Sequence, residues 1–213
     1  MKTITALVVL WLCFCPMQAQ KIIEKTISFT GKEAVTLKIQ IADSISIQTW
    51  NKNEVYVKAS VNVNDNEDND AYLASFDDNG KSVIVNAKFK DNYSKGKNNC
   101  CYESIIYWQL FIPENTMFSV ETINADITIT GETRAMKVES ISGFIDLSVP
   151  ADKNADLNFS TVSGNMYSNL DFSPAKTRNG KPSKLSEKLN NGGDLINLET
   201  VSGDIYFRKA STR

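Results

Sequence analysis

Leu198-Glu-Thr-Val-Ser-Gly-Asp-Ile-Tyr-Phe207 decides the fold, because the chain carries it four times. Its copies are Val120-Glu-Thr-Ile-Asn-Ala-Asp-Ile-Thr-Ile129, Val138-Glu-Ser-Ile-Ser-Gly-Phe-Ile-Asp-Leu147 and Phe159-Ser-Thr-Val-Ser-Gly-Asn-Met-Tyr-Ser168. The copies start 18, 21 and 39 residues apart, so the unit behaves as one structural repeat. Position one is apolar and fills a core. Position three is Thr122, Ser140, Thr161 and Thr200, which form a hydroxyl ladder if units stack ~4.8 Å apart. Position six is Ala125, Gly143, Gly164 and Gly203; a recurring glycine inside a strand pattern marks a sharp corner, often with φ > 0. Positions eight and ten restart the inward alternation with Ile127 and Ile129, Ile145 and Leu147, Met166, and Ile205 and Phe207.

A strand, a corner and a second strand in ~20 residues make one coil of a β-solenoid. Antiparallel hairpins in a sandwich are the alternative, but hairpins would not keep the hydroxyl and glycine positions in register. The long last gap holds an insertion: 173–191 is polar, carries Pro174 and Pro182, and reads as a surface loop. Within it, Lys184 to Asn190 is the one stretch with a trace of helical periodicity.

Upstream, strand formers alternate with period two. Val35, Leu37, Ile39 and Ile41 share a face that Ile45 and Ile47 continue, and Val55, Val57, Ala59 and Val61 form another. Val83 and Val85 alternate with Ile84 and Asn86, and Ser104 to Pro113 is apolar enough to be buried on both faces. Residues 51–53 and 78–80 read as turns. Ile41-Ala-Asp-Ser-Ile-Ser-Ile47 is a worn copy of Ile123-Asn-Ala-Asp-Ile-Thr-Ile129, so the repeat begins in this half.

The Thr-Val-Ser-Gly-Asp-Ile core at 200–205, its copies, and Gly192-Gly193 before the last one resemble a bacterial family of adhesin-like β-strand-repeat domains of unknown function, related to the auto-transporter adhesin head (GIN) domain. Ile45-Ser-Ile-Gln-Thr-Trp50, followed by a turn and Val55-Tyr-Val57, adds to the likeness. The resemblance covers most of 25–209. It implies an all-β, single-stranded right-handed parallel β-helix with a degenerate N-terminal part, on an exported protein, and no catalytic residues carry over from the family. Asn124-Ala125 departs from the usual Ser-Gly, so the first corner is expected to be built differently.

Composition narrows the chemistry. Of 213 residues 42% are hydrophobic, none is histidine, and the net charge is −2. No basic footprint for nucleic acid is present, and imidazole-dependent triads, dyads and zinc sites are excluded. Stacking places Glu121 beside Glu139 on the outer face, with Asp126 and Asp146 in neighbouring positions. This is the one carboxylate group able to act as acid and base or to hold Ca²⁺. Arg134 and Lys137 fall in a turn, away from it. Asn64-Asp-Asn-Glu-Asp-Asn-Asp70 looks like a cation loop, but the EF-hand pattern fails: counted from Asp65, position six is Asp70 and position twelve Phe76. That loop, and the run Lys88, Lys90, Lys95 and Lys97 beside Phe89 and Tyr93, read as hydrated surface. The reading is therefore no catalytic, cofactor-binding or metal residues, no cofactor, and no enzyme. It is instead an interaction module of the envelope with an unidentified envelope protein or glycan as partner. A carbohydrate-active lyase or hydrolase on the same scaffold is the alternative.

Lys2, the apolar run Ile4 to Cys15, Pro16 and Ala19 form a secretory signal pattern, too short to span a bilayer. The expected organisation is a signal peptide over 1–19 and one adhesin-like β-solenoid domain over 20–213, without a membrane span, in the periplasm or at the cell surface. Cys100 and Cys101 would be the cysteines left; adjacent cysteines make a strained bridge, so free thiols, a vicinal disulfide and an intermolecular disulfide all stay open. Protein purified from its native host is expected to begin at Gln20, read by intact mass; retention of 1–19 would refute export by this route.

Overall fold

The structure, a computed structural model, describes residues 20–91, 93, 103–170 and 183–210. The signal segment, Cys100, Cys101, Lys95, Lys97, Pro174 and Pro182 lie outside the described residues. Fifteen strands follow in chain order: β1 (Lys21–Ser28), β2 (Ala34–Ile39), β3 (Ile41–Trp50), β4 (Glu54–Val63), β5 (Tyr72–Asp78), β6 (Ser82–Phe89), β7 (Ser104–Pro113), β8 (Met117–Thr130), β9 (Met136–Ser142), β10 (Ile145–Val149), β11 (Ala155–Thr161), β12 (Met166–Ser168), β13 (Ser183–Leu189), β14 (Asp194–Ser202) and β15 (Ile205–Lys209). The only helical turn among the described residues is Asn69–Ala71.

Hydrogen bonding links the strands into one mixed sheet with two limbs. The first limb runs β5-β6-β2-β8-β9-β14-β11-β13, and the second runs β1-β4-β7-β3-β8-β10-β15-β12. Strand β8 belongs to both. Its buried positions are Phe118, Val120 and Thr122, then Ala125, Ile127 and Ile129, and the change of phase at Ile123-Asn124 marks the corner between limbs. Inward side chains of the limbs meet in one core. The rings of Phe159 on the first limb and Phe207 on the second are 5.2 Å apart. The Trp108 indole N–H on β7 donates across the core to the Tyr72 hydroxyl on β5 at 3.1 Å, and that hydroxyl donates to the Ile41 carbonyl at 3.0 Å.

The repeat is parallel and in register. Val120 pairs with Val138, Val138 with Leu198, and Leu198 with Phe159, and all four are buried. Antiparallel hairpins between copies are thereby excluded. The order, however, is not that of the chain: β14 lies between β9 and β11, and β15 between β10 and β12. The last copy is inserted between the second and third, so sequence-adjacent copies are not always neighbours. The worn upstream copy is present too, since Ile45 and Ile47 pair with Ile127 and Ile129.

Several local expectations are corrected. Lys184 to Asn190 is not helical; Ser183–Leu189 is β13, antiparallel to β11. Its buried Leu185 and Leu189 stand four apart, a spacing that puts two side chains on one face of either a helix or a strand. The insertion is thus part strand, part segment outside the described residues. Ser104–Pro113 is buried on one face only: Ile106, Trp108, Leu110 and Ile112 point inward while Ile105 and Tyr107 are exposed. Ile41 leaves the face shared by Val35, Leu37 and Ile39, because a register shift between Ile41 and Ser44 turns Ala42 inward instead. The regular single-stranded coil is also incomplete at its ends, where β1, β4, β5 and β13 pair antiparallel.

The corner glycines are required for space. Only Gly143 has positive φ, at 101°; Gly164 and Gly203 do not. A β-carbon on Gly143 would overlap the Ala125 carbonyl, one on Gly203 the Gly143 carbonyl, and one on Gly164 the Gly203 carbonyl. Each corner therefore presses its backbone onto the next. The ladder hydroxyls bond backbone rather than one another: Thr122 donates to the Gln40 carbonyl at 3.3 Å, Ser140 to Ser142 at 2.8 Å and Thr161 to Gly203 at 3.0 Å. The Thr200 hydroxyl, in the middle of the stack, is buried and has no hydrogen-bond partner among the described residues. Gly164→Val is expected to destabilise the fold by about 1–3 kcal/mol through overpacking, read as a lower melting temperature; an unchanged melting temperature would refute the corner packing.

Candidate functional site

Outward positions of the repeat also stack into rows. At position two of the first limb the row is Lys38, Glu121, Glu139, Glu199, Ser160 and Lys184. Like charges opposite one another on paired strands repel. Here each is countered locally: the Lys38 ammonium is 3.3 Å from Glu121, the Lys137 ammonium 2.8 Å from Glu139, and the Asn197 amide donates to Glu199 at 2.7 Å. Lys137 sits in β9, not in a turn as its sequence position implied. Its pKa is raised, first by the hydrogen bond to Glu139 and further by the charges of Glu199 and Glu121. Arg134 reaches Asp194 at 3.9 Å.

Glu121 and Glu139 are neighbours as expected, but Asp126 and Asp146 do not join them. Both lie past the corner on the second limb. The Asp126 carboxylate accepts the Phe144 backbone N–H at 3.2 Å, and Asp204 accepts that of Asn165 at 2.8 Å; each caps the adjoining coil. Asp146 is held by Arg208 at 3.0 Å, beside the stacked rings of Tyr167 and Tyr206. Burial raises the Asp146 pKa and Arg208 opposes that rise. The four carboxylates thus split between two limbs and do not converge on one point where a bond could be cut.

The cation-loop residues are occupied with one another. Asn64, Asp65 and Asn66 take positive φ, the Asn64 amide donates to Asp68 at 2.6 Å, and Lys21 pairs with Asp70 at 2.9 Å, lowering the Asp70 pKa. Lys88 lies in β6 and pairs with Asp91, while Phe89 stacks on Tyr93 at 5.3 Å.

Position four is the feature the sequence reading did not single out. Ile123, Ile141, Val201 and Val162 succeed one another along the corner, and all are 45–53% exposed. Single exposed aliphatics are ordinary, whereas a contiguous row marks an interaction surface. Strand propensity alone does not explain it, because position two in the same strands is equally outward and carries glutamate or serine. The signal in the sequence was an apolar residue at an outward position in every copy. Between this ridge and the glutamate row lies an open groove of about 310 Å³, floored by Thr122, Ser140 and Thr200.

Stacked parallel coils with glycine corners, antiparallel ends and a ridged edge define an all-β, solenoid-like protein. The chain belongs to the Toastrack DUF4097 family, whose profile matches residues 24–208. Its fold is similar to that of a solved "putative cell adhesion protein" from Clostridium sporogenes, with a TM-score of 0.59 and 12% identity over 90% of this chain and 100% of that one. A "putative adhesin" from Bacteroides fragilis aligns over 90% and 98% of the two chains, with 8% identity and a TM-score of 0.28. A "putative lipid binding protein" from Parabacteroides distasonis aligns over 88% and 96%, with 9% identity and a TM-score of 0.28. No curated protein matches the chain significantly. No helix among the described residues is long and apolar enough to cross a membrane.

The Asp146 carboxyl is expected to titrate above the ordinary aspartate range in a carbon-detected NMR experiment. Its ionised form is the one burial disfavours, so its cost to stability is present above its folded-state pKa and fades as pH falls through that value. Arg208→Gln should move the titration further up; a downward move would refute the opposition of burial and Arg208.

Proposed function

We propose that the chain is an exported, non-catalytic interaction module of the bacterial cell envelope, adhesin-like in its use of a repeated surface. The observation that carries this reading is the Ile123–Ile141–Val201–Val162 ridge, kept exposed along a fold that has buried its other repeated apolar positions. The reading extends to one domain from residue 20 onward, to a right-handed coil, and to kinship with the adhesin-head domain; the glycine-corner repeat and the signal pattern support those parts. The cell-adhesion role that the Clostridium sporogenes structure bears in its name is proposed for this chain on the strength of the ridge.

A carbohydrate-active enzyme would need two carboxyl groups placed around one glycosidic bond, or a carboxylate set on Ca²⁺. Glu121 and Glu139 face water and are engaged by lysines, and Asp146 lies past the corner. No turnover is therefore expected when the purified protein is incubated with a panel of acidic polysaccharides, with or without Ca²⁺, and assayed for unsaturated products and reducing ends. Turnover abolished by Glu139→Gln or Asp146→Asn, at an unchanged melting temperature, would replace the interaction module by the enzyme.

A further inference from the structure

We infer that the corner ridge docks a cationic, amphipathic polypeptide segment, its apolar side chains on Ile123, Ile141, Val201 and Val162 and its lysines or arginines toward the carboxylates that border them. This rests on the interaction-module reading and adds the chemistry of the partner. The bordering charge is mostly negative: Lys38 and Lys137 pair with Glu121 and Glu139, while Glu199, Asp126 and Asp204 have no ion pair among the described residues. Glu121, Glu139 and Glu199 run along one flank, and Asp126 and Asp204 each stand three residues beyond the ridge on the other. Lys137 lies on the side of the glutamates away from the ridge, two residues before Glu139, and Lys38 and Lys184 stand at the two ends of the row. Among the described residues Asp126 and Asp204 make no ion pair; they accept backbone N–H groups, and Asp204 also accepts the Tyr206 hydroxyl. At ~4.8 Å per coil the four ridge residues span about 14 Å, the reach of a short strand or of about two and a half helical turns.

The same border argues against other occupants. Anionic headgroups and acidic glycans would meet Glu199, Asp126 and Asp204, which no cation pairs among the described residues, beside two glutamates that lysines already engage. A second copy docked ridge to ridge would bring two acidic borders together. A helical segment with an apolar stripe flanked by basic residues satisfies both parts of the surface, the apolar contact supplying affinity and the charges supplying orientation and encounter rate.

The test uses the full exported chain and a fluorescent helical peptide whose leucine stripe is flanked by lysines, with the same peptide carrying glutamate for lysine as its counterpart, read by anisotropy at low and high salt. The lysine peptide should bind, weaken as salt rises, and lose about tenfold in affinity both in Ile141→Ser/Val201→Ser and in Glu139→Gln/Glu199→Gln. The substituted residues are at the surface, and melting temperatures check that both variants stay folded. Equal binding of the glutamate peptide, sensitive to the ridge variant, would overturn the charge assignment while leaving an interaction surface in place. Binding weakened by the glutamate variant but not by the ridge variant, or no binding at all, would overturn the proposal. So would a dimer in sedimentation that dissociates in the ridge variant, since the occupant would then be a second copy. Polysaccharide turnover would defeat the interaction-module reading itself, and none of these measurements depends on it.

Discussion

The carbonyl of one corner lies where the β-carbon of the next would stand, and the rest of the structure follows from that contact. Gly143 packs on the Ala125 carbonyl, Gly203 on that of Gly143, and Gly164 on that of Gly203. Only with the corners this close do the strands on either side stay in one register, so that buried Val120, Val138, Leu198 and Phe159 form one row and Ile127, Ile145, Ile205 and Met166 another. The first corner escapes the requirement. Ala125 faces the upstream coil where its register shifts between Ile41 and Ser44, and its methyl group is buried there. The departure from Ser-Gly at Asn124-Ala125 and the bulge opposite it are two sides of the same fit.

A stack of parallel coils leaves unpaired strand edges at both ends, and such edges invite aggregation. This chain changes direction there, so that β1, β5, β12 and β13 are the outermost strands among the described residues. At one end β4 and β1 add antiparallel to β7, and β5 adds antiparallel to β6; at the other, β13 returns antiparallel along β11. Strand β13 also explains the exchanged order. By occupying the outer edge of β11 it leaves the inner edge for β14, which enters between β11 and β9. The final coil is therefore a central one. Its partners are already distant in sequence, with Ile145 pairing with Ile205, so assembly cannot simply proceed from one end, and the topology is of the slow-folding, non-local kind.

Much of this was legible because a coil's period is written directly in the chain. Alternation gave the inward positions, the glycine gave the corner, and identical spacing gave parallel register down to Ile45 opposite Ile127. What was not legible is what one coil cannot encode about another. Stacking order depends on which edge is free when a coil arrives, and no residue in the fourth copy announces that it will sit beside the second. Strand β13 was hidden because a spacing of four satisfies both periods, and Ser104–Pro113 because outward Ile105 and Tyr107 imitate a core strand. At the candidate site the neighbouring glutamates were foreseen. The separation of Asp126 and Asp146 from them was not, because a corner reverses which side of the molecule the next outward position faces.

The ridge is where fold and function part company. Alternation forces position four outward in each copy, since positions one and three are committed to the core, but it sets no demand on what that position carries. Serine or threonine would keep the strand and its register at no cost in burial, as Ser160 does in the row alongside. Four Ile and Val side chains in line expose apolar surface that offers nothing to the core and adds a risk of association in solution. The carboxylates left unpaired along its border limit that risk, because they disfavour a second copy on the strip and favour a surface of opposite charge. An apolar strip that is costly alone becomes selective once carboxylates flank it, and a folding requirement by itself supplies a reason for neither.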